Sequence, residues 1–294
     1  MAKSAPPKSS PSNQIKENGE AQNDVLGFWN EMAEKYGHSD KATNPDQHYR
    51  KLEIESILRV IGLMPHETIL DAGCGNGFTT DMIGDKFPDS DVVGVDFSPK
   101  MIKQAKDLGS GPNIEFHEGD VLSLSRNRYL IPRHYDVVIS TRCLINLSNW
   151  EEQKIAILEM RKMLKPDGRL ILVENFKEGL ANLNLIRNAL GLPPITERWH
   201  NFYIPDDSFK RFIAQGQNIF ALEYSENIGH FYYMASRVLY AKICQEKGIE
   251  PDYDSDINRI AAQMPTFGNE CGCSPNLLLV LRNANGSTPN RSLS

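Results

Sequence analysis

The chain has 294 residues, of which 40% are hydrophobic and 24% charged, and its formal net charge of −6 argues against a broad electrostatic surface for nucleic acid. No run approaches the roughly 18 apolar residues that a membrane-spanning helix requires, and no apolar segment near the first residues indicates a secretory signal. The five cysteines are irregularly spaced, which is typical of reduced thiols, so we expect a cytoplasmic protein without a metal site.

The first part of the chain is polar and then helical in pattern. Residues 1–24 are rich in Ser, Pro, Lys and Asn, and they predict a disordered tail because they bury too little apolar surface to offset their ordering entropy. Two stretches of helical periodicity follow, VLGFWNEMAEKYG and HYRKLEIESILRVIGL. We therefore expect an N-terminal helical cap over residues 25–64.

From residue 67 the apolar pattern alternates between strands and helices. The predicted strands read TILDAG, DVVGVDF, NIEFHEGD, YDVVIST and RLILVENF, with helical stretches such as SPKMIKQAKDLG between them. In that stretch Ser98 is placed as the N-cap and Pro99 as the first helical residue. Such alternation predicts an α/β fold in which parallel strands carry helices on both faces of the sheet.

After Phe176 the alternation stops. Residues 177–217 predict an insertion after the fifth strand, and long insertions often cover a site. NIFALEYSENI and SPNLLLVLRN then predict two further strands with a helical stretch between them. Residues 285–294 predict a flexible tail, which leaves residues 25–284 as a single expected domain.

A glycine-rich turn follows the first predicted strand in the stretch ETILDAGCGNG, with glycines at 73, 75 and 77. A phosphate-binding Walker loop requires GxxxxGK[ST], and no lysine follows here. The dinucleotide fingerprint requires GxGxxG, and Phe78 stands in the place of its third glycine. Glycine still allows the backbone to approach a ligand closely, so a ligand other than a dinucleotide remains the open question.

Three carboxylates follow three successive strands. Asp71 ends the first strand, Asp96 ends the second and Asp120 follows the third. In an open parallel sheet the carboxyl ends of the strands meet at one edge, where ligands bind. Asp96 is placed to accept hydrogen bonds from a ribose diol, and Asp120 from an exocyclic amine such as adenine N6. A negative charge at Asp71 favours a cationic ligand and opposes a pyrophosphate, which argues against NAD.

In order along the chain, the motifs LDAGCGNG, VVGVDFSPKMI, EGDV, YDVVIS and LKPDGRLIL resemble those of the class I S-adenosylmethionine-dependent methyltransferases. The resemblance covers about residues 48–176. It implies a Rossmann-like, doubly wound and mostly parallel sheet of seven strands, whose last two strands form an antiparallel hairpin. It also implies that the cofactor is S-adenosylmethionine.

The resemblance further implies which residues hold this cofactor. The methionine portion would lie against the first motif, and the ribose and adenine against the second and third. The transferred methyl would lie near the residues that follow the fourth strand. The implied residues, in chain order, are Asp71, Gly73, Cys74, Gly75, Asn76, Gly77, Asp96, Phe97, Met101, Asp120, Val121, Ser140 and Thr141.

The candidate catalytic residues are His200, Tyr203, Arg142 and His230. His200 and Tyr203 lie in the insertion, where they would form the wall of an acceptor pocket with His200 as the general base. Arg142 follows the fourth strand and would pair with an anionic acceptor. The alternative for the two histidines and the tyrosine is packing or hydrogen bonding within the chain, and for Arg142 a salt bridge.

These residues predict transfer of a methyl group to a small-molecule acceptor, most readily at oxygen. N-methylation, methylation of a protein and a noncatalytic cofactor-binding protein remain alternatives. The loop after the fourth strand lacks the Asn/Asp-Pro-Pro-aromatic sequence of methyltransferases that act on amines of nucleic acids, so we expect no nucleic-acid partner and no membrane partner. The sequence leaves the oligomeric state open.

Overall fold

The computed structural model describes residues 11–131, 133–214, 219–264 and 272–284, and it describes side chains from residue 24 onward. These residues contain a seven-stranded sheet with the order β3-β2-β1-β4-β5-β7-β6. The strands are β1 Thr68–Ala72, β2 Asp91–Asp96, β3 Ile114–Glu118, β4 Tyr135–Thr141, β5 Leu164–Asn175, β6 Phe220–Glu226 and β7 Asn276–Asn283. The first five strands pair in parallel, whereas β7 is antiparallel to both β5 and β6. The predicted α/β architecture, including the antiparallel final pair, is confirmed.

The helices connect the strands and cover the sheet. They are α1 Pro11–Tyr36, α2 Gln47–Ile61, α3 Phe78–Lys86, α4 Pro99–Asp107, α5 Trp150–Lys162, α6 Lys177–Ala189, α7 Asp206–Ala214, α8 His230–Tyr233, α9 Ala241–Lys247 and α10 Asp256–Ala261, with a π-helix over Met234–Tyr240 between α8 and α9. The predicted start of α4 is confirmed, because the Ser98 hydroxyl accepts a hydrogen bond from the Met101 amide at 3.1 Å and Pro99 is the first helical residue. Among the described residues, no helix is long and apolar enough to cross a bilayer.

Two apolar layers enclose the sheet because both faces of its central strands are buried. Leu70, Val138 and Leu172 point to the layer that contains α5 and α7, whereas their neighbours Ile69 and Val137 point to the layer that contains α2 and α3. Burial on both faces explains why these strands read as continuous apolar runs rather than as alternating ones. It also leaves only the strand ends free to present polar side chains, and this is where the acids of the sequence motifs lie.

Two boundaries and one helix differ from the sequence-based expectation. Helix α1 begins at Pro11, so it overlaps the tail predicted over residues 1–24. Strand β5 begins at Leu164, before the predicted strand RLILVENF, and contains Asp167 in the left-handed region at a φ of 63°. Helix α10 was not predicted. The first ten residues and residues 285–294 lie outside the described residues, so their predicted disorder stays a prediction.

Candidate functional site

A cavity of about 280 Å³ lies at the carboxyl ends of β1, β2 and β4, beneath α1 and the loop between α6 and α7. Its wall includes ten of the thirteen residues predicted to bind the cofactor. These are Asp71, Gly73, Cys74, Gly75, Asp96, Phe97, Met101, Asp120, Val121 and Thr141. The cavity also includes three of the four predicted catalytic residues, Arg142, His200 and Tyr203. One cavity therefore joins the motif residues to the insertion.

Asp96, at the end of β2, is buried and oriented by two backbone amides. Its Oδ2 accepts from the Gly75 amide and its Oδ1 from the Ser98 amide, both at 2.9 Å. Burial raises the pKa of Asp96 to about 6, and these two hydrogen bonds oppose the rise. Each oxygen keeps a further lone pair, so the carboxylate can accept hydrogen bonds from two donors in the cavity.

Asp71, at the end of β1, belongs to a buried group of charges. It accepts a hydrogen bond from the Thr80 hydroxyl at 2.7 Å, and burial raises its pKa to about 6 although Thr80 and the nearby Arg50 guanidinium oppose the rise. Arg50 lies in the cavity wall and forms an ion pair with Glu53 at 3.5 Å. Arg142 pairs with the other Glu53 oxygen at 3.3 Å. One fully buried carboxylate therefore holds two guanidinium groups at the wall.

The glycine turn is required by the chain's own packing. Gly73 and Gly77 have φ values of 83° and 81°, in the region that favours glycine. A β-carbon at position 73 would overlap the Cys143 side chain, and one at position 77 would lie 2.8 Å from the Phe116 ring. Glycine is thus required at both positions by the packing of the chain itself, because protein atoms occupy the space that a β-carbon would fill.

Three predicted cofactor residues do not line the cavity. Asn76 donates from its Nδ2 to the carbonyls of Gly37 and Ser39, both at 2.9 Å, and so attaches the cap to the glycine turn. Gly77 is the left-handed residue that starts α3. Ser140 donates to the buried Glu174 carboxylate at 2.8 Å. These three residues therefore lie outside the cavity wall, and their role in cofactor binding stays a prediction.

Asp120 lies at the cavity wall with its flanking residues Gly119 and Val121. Its Oδ1 accepts from the Leu122 amide at 2.9 Å, which fixes the carboxylate at the turn after β3. Phe97 and Met101 line the same side of the cavity. The third strand end and the start of α4 thus flank the Asp96 carboxylate, as the motif order predicts.

His200 lies where the insertion loop meets the cap. Its ring stacks on Phe28 with centroids 4.4 Å apart and meets Trp29 edge-on at 5.8 Å. Burial, and then the charge of Arg198, lower the pKa of His200 to about 4. Its Nδ1 is buried and has no hydrogen-bond partner among the described residues. Burial therefore favours the neutral imidazole.

Tyr203 and Arg142 are placed beside His200 at this end of the cavity. Tyr203 packs among Ile145, Leu180 and Ile195, and burial raises the pKa of its phenol. The Arg142 guanidinium also donates from Nη2 to the Thr43 carbonyl at 3.3 Å. Because its charge is already paired with Glu53, the prediction that Arg142 binds an anionic acceptor loses its main support.

His230 is the predicted catalytic residue that the fold places elsewhere. It begins α8 and lies near Leu52, Ile228 and Met264, outside the cavity wall. Burial lowers its pKa. The aromatic neighbours of His230 in the sequence suggested a site, but they pack against α2 and α10, with Tyr232 in a cluster with Leu52 and Ala261.

Several wall residues were missed by the sequence reading. Arg50 and its partner Glu53 were taken as ordinary helix residues, because charged side chains on a helix usually face solvent. Both lie on the apolar stripe of α2 that includes Ile57, and that position was the available signal. Asn146 and Asn201 line the cavity and each has a buried Oδ1 without a partner among the described residues. Nothing in their sequence neighbourhood marks them.

Comparison with known proteins agrees with this placement. Residues 69–168 match the family model described as a methyltransferase domain. A malonyl-[acyl-carrier protein] O-methyltransferase of Halalkalibacterium halodurans is 30% identical over 148 residues, which cover 49% of this chain and 52% of the relative. The putative methyltransferase 235L of Invertebrate iridescent virus 6 is 27% identical over 156 residues, 53% of each chain. Residues 69–168 therefore form a methyltransferase domain, and these matches support the resemblance to class I S-adenosylmethionine-dependent methyltransferases.

A solved methyltransferase structure shares the fold over most of the chain. The plantazolicin methyltransferase BpumL, solved with a monoazolic desmethylPZN analog and SAH, superposes with a TM-score of 0.53 at 16% identity. The match covers 92% of this chain and 98% of BpumL. In sequence, by contrast, the chain spans about half the length of the curated relatives that it matches.

The cofactor of this family is S-adenosylmethionine, and the residues of the cavity fit it. Two buried carboxylates, Asp71 and Asp96, suit a ligand that carries a positively charged sulfur and a ribose diol. Among the described residues no group of His, Cys, Asp and Glu is arranged to hold a metal ion.

Proposed function

We propose that the protein transfers a methyl group from S-adenosylmethionine to a hydroxyl group of a small-molecule acceptor. The observation that carries this proposal is one cavity with two chemically different ends. The first end has the buried acids of β1 and β2, and the second has a neutral histidine with an unpartnered nitrogen.

The first end would hold the cofactor. The Asp96 carboxylate, already oriented by two amides, would accept from the ribose hydroxyls. Asp71 would favour the cationic side of the ligand, and Asp120 and Val121 would flank the adenine beside Phe97 and Met101. The cofactor supplies an electrophilic methyl group on a positively charged sulfur. The role of the protein is then to align an acceptor with that group, and alignment is worth roughly 7–11 kcal/mol.

The second end would orient the acceptor. A neutral His200 accepts a hydrogen bond from a hydroxyl through Nδ1, and this points an oxygen lone pair towards the cofactor end. With a pKa of about 4 the imidazole is a weak base. Its contribution is therefore to orient the hydroxyl and to take the proton late, as the oxygen loses its electron pair to the new bond with carbon.

The contact between the cap and the insertion loop supports a small acceptor rather than a protein. Phe28 of α1 contacts both Trp199 and His200 of the insertion loop, so the cap and the insertion meet over the cavity. Arg142 joins the cap as well, through the Thr43 carbonyl. A side chain of a folded protein would have to displace these contacts, whereas a small molecule fits beneath them. A relative named for O-methylation adds support for oxygen as the acceptor atom.

An amine is the second candidate acceptor. The Glu152 carboxylate lies in the cavity wall and accepts from the Ser148 amide at 2.9 Å, and a carboxylate there would attract an ammonium group. An ammonium group must lose its proton before it can accept a methyl group, so N-methylation would become faster as pH rises. O-methylation directed by a neutral His200 would change little between pH 6 and 8.

A methyl-transfer assay tests the proposal. The full chain is incubated with isotopically labelled S-adenosylmethionine and a panel of small hydroxyl, amine and carboxylate compounds, and products are identified by mass spectrometry. We expect labelled methyl ethers. Label in amines alone would replace the hydroxyl proposal with the second candidate, and label in protein bands would indicate a protein methyltransferase. Tight binding of S-adenosylhomocysteine without any labelled product would indicate a noncatalytic binding protein.

A further inference from the structure

Glu174, the penultimate residue of β5, has a fully buried carboxylate that the proposed chemistry does not use. Its Oε1 accepts three hydrogen bonds, from the Ser140 hydroxyl at 2.8 Å and from the amides of Cys143 and Leu144 at 3.0 Å each. Its Oε2 is buried without a hydrogen-bond partner among the described residues. Burial raises the pKa of this carboxyl to about 7.

Two of the three donors, the amides of Cys143 and Leu144, belong to the segment that connects β4 to α5, whereas Ser140 lies in β4. Seven of the eight residues in this connecting segment, defined as 141–148, line the cavity, and Leu144 is the exception. Its second residue, Arg142, is in the left-handed region at a φ of 50°. A non-glycine residue persists there only when its surroundings determine the conformation. The Arg142 amide donates to Val173 at 2.8 Å, and the next two amides donate to Glu174.

Stability alone does not account for a carboxylate at this place. A buried ionisable group pays a desolvation penalty that hydrogen bonds offset only in part, and a hydrocarbon side chain in the same volume is often as stable or more so. A hydrocarbon at position 174 would, however, leave the amides of Cys143 and Leu144 without an acceptor. A carboxylate at position 174 thus provides the acceptor for these amides, and this acceptor fixes the conformation of the connecting segment.

That conformation decides where one further polar atom lies. Asn146 donates from Nδ2 to the Arg142 carbonyl at 2.8 Å, which leaves its buried Oδ1 without a partner in the cavity wall. The left-handed turn at Arg142 directs this carbonyl towards Asn146. The Arg142 side chain meanwhile reaches Glu53 and the Thr43 carbonyl of the cap. The arrangement of Asn146 and Arg142 therefore depends on the amides that Glu174 holds.

We propose that Glu174 is a positioning residue for methyl transfer, which fixes the connecting segment 141–148 so that Asn146 stays in the cavity wall beside the acceptor. This inference rests on the proposed function for the acceptor itself. Under this proposal Glu174 contacts neither the cofactor nor the acceptor. Glu174 acts by accepting hydrogen bonds from the amides of Cys143 and Leu144.

The test compares three variants of the full chain with the parent. Glu174→Ala removes the acceptor of three hydrogen bonds, whereas Glu174→Gln keeps one oxygen in its place. Glu159→Ala is the matched control, because Glu159 is also a buried carboxylate that accepts a backbone amide, from Ser125 at 2.8 Å, and it does not line the cavity. Each variant is measured for hydrogen exchange at the 141–148 peptide, S-adenosylhomocysteine affinity and turnover.

We expect Glu174→Ala to lower turnover by about 100-fold, because a misplacement of the acceptor by about 1 Å can cost that much in rate. The affinity for S-adenosylhomocysteine should change by less than about threefold. Exchange should rise in the 141–148 peptide alone. Glu174→Gln should restore most of the turnover and most of the protection of the 141–148 peptide from hydrogen exchange. Glu159→Ala should lower the melting temperature without changing turnover or this protection.

The proposal is overturned if Glu174→Ala keeps parental turnover, if Glu174→Gln is as impaired as Glu174→Ala, or if exchange at residues 141–148 is unchanged. A parent that transfers no methyl group to any compound of the panel would instead refute the proposed function. In that case the exchange data still decide whether Glu174 fixes the connecting segment, because they require no acceptor, and unchanged exchange would refute that claim too.

Discussion

The two ends of the cavity are built in different ways. At the cofactor end, the functional groups come from successive strand ends between Asp71 and Val121, and backbone amides orient the carboxylates. At the acceptor end, the groups come from α1, the segment after β4 and the insertion loop, which are far apart in the chain. The first end forms wherever the parallel strands of the sheet end side by side, whereas the second forms only when three segments that are distant in the sequence pack together. Substitutions should therefore act on cofactor affinity at one end and on turnover at the other.

The largest expected effect is at the cofactor end. Asp96→Ala removes the acceptor of the ribose hydroxyls and of the Gly75 and Ser98 amides, so we expect S-adenosylhomocysteine affinity to fall by about 100-fold or more, since hydrogen bonds to charged groups are worth about 1.5–3 kcal/mol each. Calorimetry measures the affinity and circular dichroism checks the fold. Asp91→Ala, at the exposed opposite end of the same strand, is the control and should bind normally. Equal affinities for the two variants would remove the ribose role.

The glycine turn gives the next largest effect. Gly73→Ala places a β-carbon against Cys143 at a φ of 83°, whereas Gly109→Ala has a similar φ of 74° with no atom within 4 Å. The left-handed backbone costs about 1–2 kcal/mol in both variants, and overpacking adds about 1–3 kcal/mol at position 73 alone. Denaturant unfolding should show this difference. The same loss of stability in both variants would mean that the turn is not held against Cys143.

At the acceptor end, His200→Ala should reduce turnover by about 10- to 100-fold, with a smaller change in the Michaelis constant and none in cofactor affinity. The expected reason is the loss of the neutral nitrogen that orients the hydroxyl. His230→Ala is the matched control because that residue lies outside the cavity. Parental kinetics in the His200 variant would exclude it from the reaction.

The smallest effect is a dependence on pH at the cofactor end. The pKa values of Asp71 and Asp96 are raised to about 6 from ordinary values near 3.8, so cofactor affinity should be constant above pH 7 and fall by up to about tenfold per unit below pH 6 as the carboxylates gain protons. The folding stability of the ligand-free chain depends on pH in the opposite direction. Asp71 and Asp96 bind protons more tightly in the folded chain than in the unfolded one, so the stability that they contribute is present at low pH and is lost as pH rises through 6. Affinity titrated by calorimetry from pH 5 to 8 checks this, and a flat profile would contradict it.

The sequence was sufficient for the sheet and for bringing most of the predicted cofactor residues to one cavity. Asp71 and Asp96 end strands whose apolar runs are unmistakable, and parallel pairing brings such ends together. The sequence did not indicate the contacts of Asn76 and Ser140, because a motif specifies a residue type and not the direction of its side chain. Asn76 attaches the cap, and Ser140 turns to Glu174.

The acceptor end depends on contacts that no local pattern encodes. His200 and His230 have similar aromatic neighbours in the sequence, yet His200 packs on Phe28 at the cavity while His230 lies beyond it. The difference arises from the path of the insertion loop. Arg50 was overlooked for a related reason, since its burial depends on Glu53 and on the Thr79 hydroxyl of a different helix.

The central claim is that the glycine turn and the acids of β1 and β2 form a site for an adenosyl sulfonium compound. The most direct test is isothermal calorimetry of the full chain with S-adenosylmethionine, S-adenosylhomocysteine and NAD. The account predicts saturable binding of both sulfur compounds, lost in Asp96→Ala, and no binding of NAD. Binding of NAD, with no heat from either sulfur compound, would contradict it.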